Sequence, residues 1–297
     1  MSRISAALSS TPFQGDLIYA GDGGSWQSIR IGQSVHNGGV LRLTDYLSGA
    51  RRSQIRHKDS IICSHDGPHI AGMVPDVFQP FDQRLPERLA SISSNYQISQ
   101  SDDTYRIAGH ITHLVSFVPR TSDRYSYQLW LDADTDLILR SDLNSPEGDT
   151  LQRFQFASVE IGDNAPISEM NSDIVGHTIA VSAPSGKASY PESGWWPGWL
   201  PSGYLLERYV DAHSADDGVH QRMLFSDGLS SFTVFVDEVG AGRFPEMNQR
   251  WSATSAAVRH LNVEDSGFRI TVVGEMPAAT ISRIAESVRP SEHIAHQ

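Results

Sequence analysis

The residues able to do chemistry in this 297-residue chain are twelve histidines, one cysteine and a Ser226-Asp227 pair. None falls into the spacing that a metal or catalytic site needs. His110 and His113 lie three apart in Gly-His-Ile-Thr-His. On a strand that spacing sends the two rings to opposite faces, so one cation does not receive both. His57, His65 and His69 flank turns. Asp132-Ala-Asp-Thr-Asp136 opens like an EF-hand loop, but Leu137 stands where the sixth-position glycine belongs and Leu143 where the twelfth-position glutamate belongs. It reads as a polar hairpin turn. Ser226-Asp227-Gly228 carries a hydroxyl and a carboxylate without a positioned base, and reads as a turn between strands with Gly228 at the bend. Cys63 sits on a short apolar run and reads as a small hydrophobe; as the one cysteine it forms no disulfide within the chain. The nucleophile elbow, the phosphate loop, the zincin helix and the dinucleotide glycine fingerprint are all absent. No metal, cofactor or catalytic residue is therefore expected.

Charge narrows the partners. The formal net charge is −12, which disfavours binding to nucleic acid. Lys58 and Lys187 are the only lysines, so the cations are nearly all arginine, the side chain suited to bidentate contact with carboxylate or phosphate. The densest basic run, Arg51, Arg52, Arg56, His57 and Lys58, reads either as a solvated strand edge or as an anion site in which Arg51, Arg52 and Arg56 contact lipid phosphates or an acidic peptide. Hydrophobic content of 39% and charged content of 20% are those of a folded chain, and no run approaches the roughly 18 apolar residues of a membrane-spanning helix. Met1 to Leu8 lacks the apolar core and cleavage site of a signal peptide.

The elements that must position these residues are mostly strands. Asp123 to Asp132 alternates with period two: Tyr125, Tyr127, Leu129 and Leu131 on one face, Arg124, Ser126, Gln128, Trp130 and Asp132 on the other. Leu137 to Leu143 returns as its hairpin partner. Further strands are expected at 13–19, 26–35, 40–47, 59–64, 96–99, 105–118 and 151–161, with turns at Gly21–Gly24, Asn37–Gly39 and Asp66–Pro68. Residues 2–11 read as the last turns of a helix and 86–94 as a short one. Residues 75–90 hold Pro75, Pro80 and Pro86. Without βαβ alternation, the roughly ten strands predict an antiparallel sheet.

Residues 163–194 change character, with Asn164, Pro166, Pro184, Gly186, Pro191 and Gly194 among few large apolar residues. This divides the chain into a first domain at 1–165, a linker at 166–194 and a second domain at 195–297. The aromatic cluster at 195–201 opens the second domain. Strands follow at 204–212, 221–226, 231–236, 256–263 and 268–274. A closing helix begins at Pro277, with Ile281, Ile284, Ala285 and Val288 in one stripe, and Pro290 ends it. The fold class is mainly β with an α+β second domain.

Several of these stretches together resemble the MucB/RseB family: Gly109-His110, the run from Pro119 through Asp132, Thr135 to Ser141, Phe225 to Val236, and Phe268 to Pro277 with the helix after it. The likeness runs from about Phe13 to Val288 in order and spacing, and departs at Asp136, where the family carries glycine. It implies a periplasmic negative regulator of an extracytoplasmic-stress sigma factor, whose signal peptide has been removed. The first domain would be an unclosed antiparallel β-barrel of the lipoprotein-carrier type with helices in its mouth. The partner would be the periplasmic segment of a membrane-anchored anti-sigma factor, protected from proteolysis until lipopolysaccharide or another lipid releases it, with homo-oligomers common.

Within that frame the candidate lipid-pocket lining is Leu17, Tyr19, Ile29, Ile31, Tyr125, Tyr127, Leu129 and Leu131. The alternative is that the helical segments 2–11 and 86–94 fill the concavity. Trp196, Trp199, Phe225 and Leu229 are candidate anchors for the partner peptide; the alternative is that they form the second domain's core. Two rival functions stand beside regulation: a periplasmic lipid or lipoprotein carrier, which does not need the second domain, and a hydrolase built on Ser226-Asp227.

Overall fold

The computed structural model describes residues 2–21, 26–36, 39–57, 60–65, 78, 81, 85–162, 177–180, 194–214, 218–240 and 245–291. Helix α1 (Ser2–Ser10) is followed by β1 (Phe13–Gly21), β2 (Trp26–His36), β3 (Gly39–Tyr46), β4 (Arg52–His57) and β5 (Ser60–His65). Helix α2 (Leu85–Asn95) runs into β6 (Tyr96–Ile107), β7 (His110–Pro119), β8 (Ser126–Asp132), β9 (Ile138–Asn144) and β10 (Thr150–Ile161), and β11 (His177–Ala180) closes this part. Their sheet has the order β11-β5-β4-β3-β2-β1-β10-β9-β8-β7-β6, with antiparallel pairing throughout. Its two end strands do not pair with each other, so the sheet curls into an unclosed half-barrel.

Side-chain alternation sets the curl's inner face. Phe13 and Leu17 of β1, Ile29 and Ile31 of β2, Tyr127 and Leu129 of β8, and Phe154 and Phe156 of β10 are buried together. The same cluster takes in Ile4 and Leu8 of α1, Ile92 of α2, and Phe78 and Phe81. Edge-on ring pairs at 5.5–5.8 Å tie Phe78 to Phe13 and Phe154, and a 5.6 Å pair ties Phe81 to Tyr127. Gly15 is required where β1 bulges between Asp16 and Leu17, because a Cβ there would run into the Ser158 carbonyl.

The second part is a six-stranded antiparallel sheet in the order β13-β14-β15-β18-β17-β16: β13 (Leu205–Ser214), β14 (Gly218–Ser226), β15 (Ser231–Glu238), β16 (Met247–Trp251), β17 (Thr254–Val263) and β18 (Ser266–Gly274). Helix α3 (Ala278–Ser287) covers it, burying Ile281, Ile284 and Ala285 as the apolar stripe requires. Strands β12 (Gly194–Pro197) and β19 (Val288–Ser291) form a separate two-stranded ribbon.

Several elements differ from the sequence expectation, among them β4 and β12, which were not expected as strands. The stretch read as one strand at 105–118 is a hairpin, broken at Ala108 (φ 49°) and Gly109 (φ 88°), two successive left-handed residues that turn the chain. Within the stretch read as a linker, His177–Ala180 pairs with β5 at the edge of the half-barrel. Pro290 does not merely stop α3 but sits in β19 opposite Trp195. Strand β16 was not expected: its five residues are all exposed, so they show none of the alternation that marks a half-buried strand. The turns read at 22–24, 37–38 and 66–68, together with Lys58, His69, Pro75, Pro80 and most of 166–194, lie outside the described residues.

Candidate functional site at the junction of the two sheets

The polar groups that converge most tightly do so where the β14–β15 turn meets the mouth of the half-barrel. The turn is Ser226-Asp227-Gly228-Leu229-Ser230. Ser226 Oγ donates to the Ser230 carbonyl at 3.0 Å and accepts from the Gly228 N–H at 3.0 Å. The hydroxyl is thus engaged within its own turn, the role of a serine that shapes a bend. Asp227 Oδ1 accepts from the backbone N–H groups of Leu229 (3.0 Å) and Ser230 (2.9 Å). Its other oxygen, Oδ2, faces the half-barrel, where Arg124 Nη1 donates at 2.8 Å and the Tyr96 hydroxyl at 3.0 Å.

Arg124 lies just before β8, and all of its polar edges are used. Nε donates to Asp123 at 2.9 Å and Nη2 to the Ser202 carbonyl at 2.6 Å. Its side chain is 1% exposed and that of Asp227 0%. The guanidinium lies 5.0 Å from the Tyr204 ring centroid and 5.8 Å from that of Tyr96. Burial alone would lower the Arg124 pKa, but Tyr204, Asp227, Asp123 and Tyr96 outweigh it and the net shift is upward. Burial, and then Asp227, push both Tyr96 and Tyr204 well above the ordinary phenol range, so both remain O–H donors. Tyr204 is hydrogen-bonded to Ser230 Oγ. A charge pair taken this far out of water is maintained only when its remaining hydrogen-bonding capacity is met, as it is here.

Around this pair the units interlock. Leu229, from the small sheet, is buried in the half-barrel's apolar cluster and stops its mouth. Gly228 (φ 103°) lies where a Cβ would come within 3.0 Å of Arg88 and Ile92 of α2. Gly203 abuts Asn95 at the end of α2. The Tyr125 hydroxyl donates to the Met276 carbonyl at 2.9 Å, Ser252 Oγ to the Leu151 carbonyl at 2.9 Å, and Ser91 Oγ to the Asp227 carbonyl at 3.0 Å. Arg88 and Glu207 form an ion pair at 3.2 Å.

The residues singled out from the sequence fall around this junction in two groups. Leu17, Ile29, Ile31, Tyr125, Tyr127, Leu129 and Leu131 belong to the half-barrel's buried cluster, with half-buried Tyr19 packed against it. They face α1, Phe78, Phe81, Ile92 and Leu229 rather than open space. Phe225 is core of the small sheet, stacked on Phe232 at 5.1 Å, and half-buried Trp196 meets it at 5.4 Å. Trp199 is half-buried beneath the Arg283 guanidinium at 3.8 Å. The arginine run does not converge: Arg51 is exposed, Arg52 lies over the Tyr46 ring at 3.6 Å, and Arg56 is half-buried on β4. His110 and His113 both lie on β7, and His110 Nδ1 is 3.1 Å from Asp132. The Asp132 turn is closed by its own bonds, with Oδ2 accepting from the Thr135 N–H (3.0 Å) and hydroxyl (2.8 Å). Asp136 adopts φ 59° there, the left-handed position that aspartate tolerates.

Arg124, Tyr96 and Gly203 escaped the sequence reading as site residues, and Asp227 was read only as part of a turn or of a rival hydrolase pair. An arginine directly before an aromatic strand was the available signal, but its partner lies 103 residues away.

An open half-barrel stopped by the turn of a second, α+β unit defines a two-unit β scaffold. Sequence comparison makes it specific. Residues 1–174 match the MucB/RseB N-terminal domain and residues 189–289 the MucB/RseB C-terminal domain, so the chain belongs to the MucB/RseB family. It is 29% identical over 294 residues to the sigma factor AlgU regulatory protein MucB of Pseudomonas aeruginosa, covering 98% of this chain and 90% of that protein. It is 31% identical over 278 residues to the sigma-E factor regulatory protein RseB of Salmonella typhimurium, covering 89% and 81%. Among solved structures, the Pseudomonas aeruginosa MucA/MucB complex superposes with a TM-score of 0.78 at 26% identity, covering 97% of this chain and 96% of that one. A crystal structure of MucB gives 0.64 at the same identity and coverage.

Proposed function

We propose that this protein is a non-catalytic, periplasmic regulator that binds the periplasmic segment of a membrane-anchored anti-sigma factor, shields it from proteolysis, and lets go when a lipid such as lipopolysaccharide binds. The observation that carries this is the locked junction. The chain as a whole superposes better on MucB in complex with MucA (0.78) than on a second structure of MucB (0.64), at equal identity and coverage. A protein held in one relative orientation by a buried ion pair offers a peptide a preformed surface across both units, which lowers the entropic cost of binding.

The lipid end of the switch follows from packing. Acyl chains entering the half-barrel would have to displace α1 or Leu229, and Leu229 is two residues from Asp227. Lipid entry and junction closure therefore compete, and each ligand weakens the other by the same factor. A carrier that simply holds lipid is supported less well, because this concavity is filled by the chain's own side chains. The test is limited proteolysis of the anti-sigma segment mixed with this protein. The segment should be protected, and lipopolysaccharide should remove the protection. Equal cleavage with and without the protein would sink the reading.

A further inference from the structure

The six-stranded sheet has two unlike faces. Helix α3 covers one. Asn248 of β16 accepts from the Ser282 hydroxyl of that helix at 2.9 Å, and Arg259 of β17 donates to its Glu286 at 3.1 Å. In register with them, Ala257, Val272, Val234 and Met223 are wholly buried. The alternate positions point the other way, and among the described residues no second layer of helix or strand packs on them. There one row runs in direct register across all six strands: Met247, Val258, Thr271, Phe235, Arg222 and Val210. Met247 and Val210 are exposed at its two ends, and Val258 and Phe235 are half-buried between them. A sheet face left to water is normally polar; four of these six residues are apolar.

The face is also basic on an acidic chain. The neighbouring row toward the junction ends at Arg208, opposite Leu224. Neither of these two rows holds a carboxylate, although the chain's formal charge is −12. In the row beyond, Asp237 is already held by Arg269 at 3.0 Å. The Arg222 guanidinium lies 5.7 Å from the Phe235 ring centroid, so the cation lies against the apolar row. The face is continuous with the junction: Trp251, 50% exposed, ends β16, and the next residue, Ser252, donates to the Leu151 carbonyl of the half-barrel at 2.9 Å. Resting on the regulatory role proposed above, we infer that this open face docks an acidic, amphipathic segment of the anti-sigma partner. Its apolar side lies on the Met247-to-Val210 row and its carboxylates meet Arg222 and Arg208. The arginine forks suit carboxylates, and covering the row removes apolar surface from water. A lipid surface fits less well, because Val258 and Phe235 are half-buried rather than projecting and anionic headgroups repel a chain of this net charge.

The test is calorimetric titration of the full chain at low salt with the periplasmic segment of a membrane-anchored anti-sigma factor. Arg222→Glu and Met247→Glu alter exposed residues on two different strands and leave the buried face untouched. Each should weaken the segment's binding at least about tenfold. Arg106→Glu makes the same charge change at an exposed position on β6 of the half-barrel, and should stay within about twofold of wild type because a distant surface charge is screened. A wild type that does not bind the segment overturns the regulatory role and this site with it. A wild type that binds while both variants bind equally well overturns the site alone, and so does a loss in Arg106→Glu as large as that in Arg222→Glu. Sedimentation of the wild type with phosphatidylglycerol vesicles, abolished by Arg222→Glu and Met247→Glu, would assign the face to a membrane surface and overturn the proposal too.

Discussion

Arg124 and Asp227, 103 residues apart in sequence and 2.8 Å apart in space, join the half-barrel to the small sheet through a charge pair sealed from water. The pair works as an alignment device rather than as adhesive. Two charges moved out of water gain little net energy from each other, but the geometry in which both are satisfied is a single one. Arg124 reads the small unit at two points, Asp227 and the Ser202 carbonyl, while Asp227 reads the half-barrel through Arg124 and Tyr96. The relative orientation of the units is therefore specified by directional bonds, and the surface presented to a partner with it.

Removing one charge of the pair should cost more than removing both. Asp227→Asn leaves the guanidinium buried without its counter-charge and should destabilise the chain by about 3–5 kcal/mol. Adding Arg124→Met should recover a substantial part of that loss. Denaturant unfolding of the two single variants and the double variant gives the coupling directly. Additive losses would mean that the pair is not coupled.

The turn that carries Asp227 tolerates no side chain at Gly228. Its φ of 103° is disfavoured for any other residue, and a Cβ would come within 3.0 Å of Arg88 and Ile92. Gly228→Ala should loosen the junction while leaving the two sheets folded, at a cost of about 1–3 kcal/mol. The expected signature is faster amide exchange at the 226–230 turn and along α2, with β2 and β9 unchanged.

On the half-barrel's outer face, Asp142 is clamped by Arg140 (2.6 Å) and Arg153 (2.5 Å). Burial pushes its pKa up, but the hydrogen bonds and charges of the two arginines prevail and the net shift is downward. A lowered folded-state pKa contributes stability above the unfolded value of about 3.9, and that stability is lost as pH falls through the folded pKa. Asp142→Asn should therefore lower the thermal midpoint near neutral pH and narrow its gap from wild type as the solution becomes acidic. A constant gap between about pH 6 and pH 2 would count against this pairing.

The sequence was most legible where periodicity is set by one buried face. The β8–β9 hairpin, the α3 stripe and the half-barrel strands have one wet side and one dry side, so alternation reports them. The same rule conceals β16, which is exposed along its whole length, and the Ala108-Gly109 hairpin, whose flanking strands run together without a polar break. The junction was the least legible part. Asp227-Gly228 has the composition of an ordinary turn, and Arg124 sits on what reads as a solvent face; only the docking of the second unit makes that face interior. Leu229, read from the sequence either as a peptide anchor or as second-domain core, is buried in the half-barrel's apolar cluster.

The proposed regulatory function is tested most directly by calorimetric titration of the full chain with the periplasmic segment of a membrane-anchored anti-sigma factor, with and without saturating lipopolysaccharide. If lipid entry and junction closure compete, the lipid should weaken the segment's binding at least about tenfold, a coupling of about 1.4 kcal/mol. The segment should weaken lipid binding by the same factor. An affinity for the segment that lipopolysaccharide leaves unchanged would contradict the account.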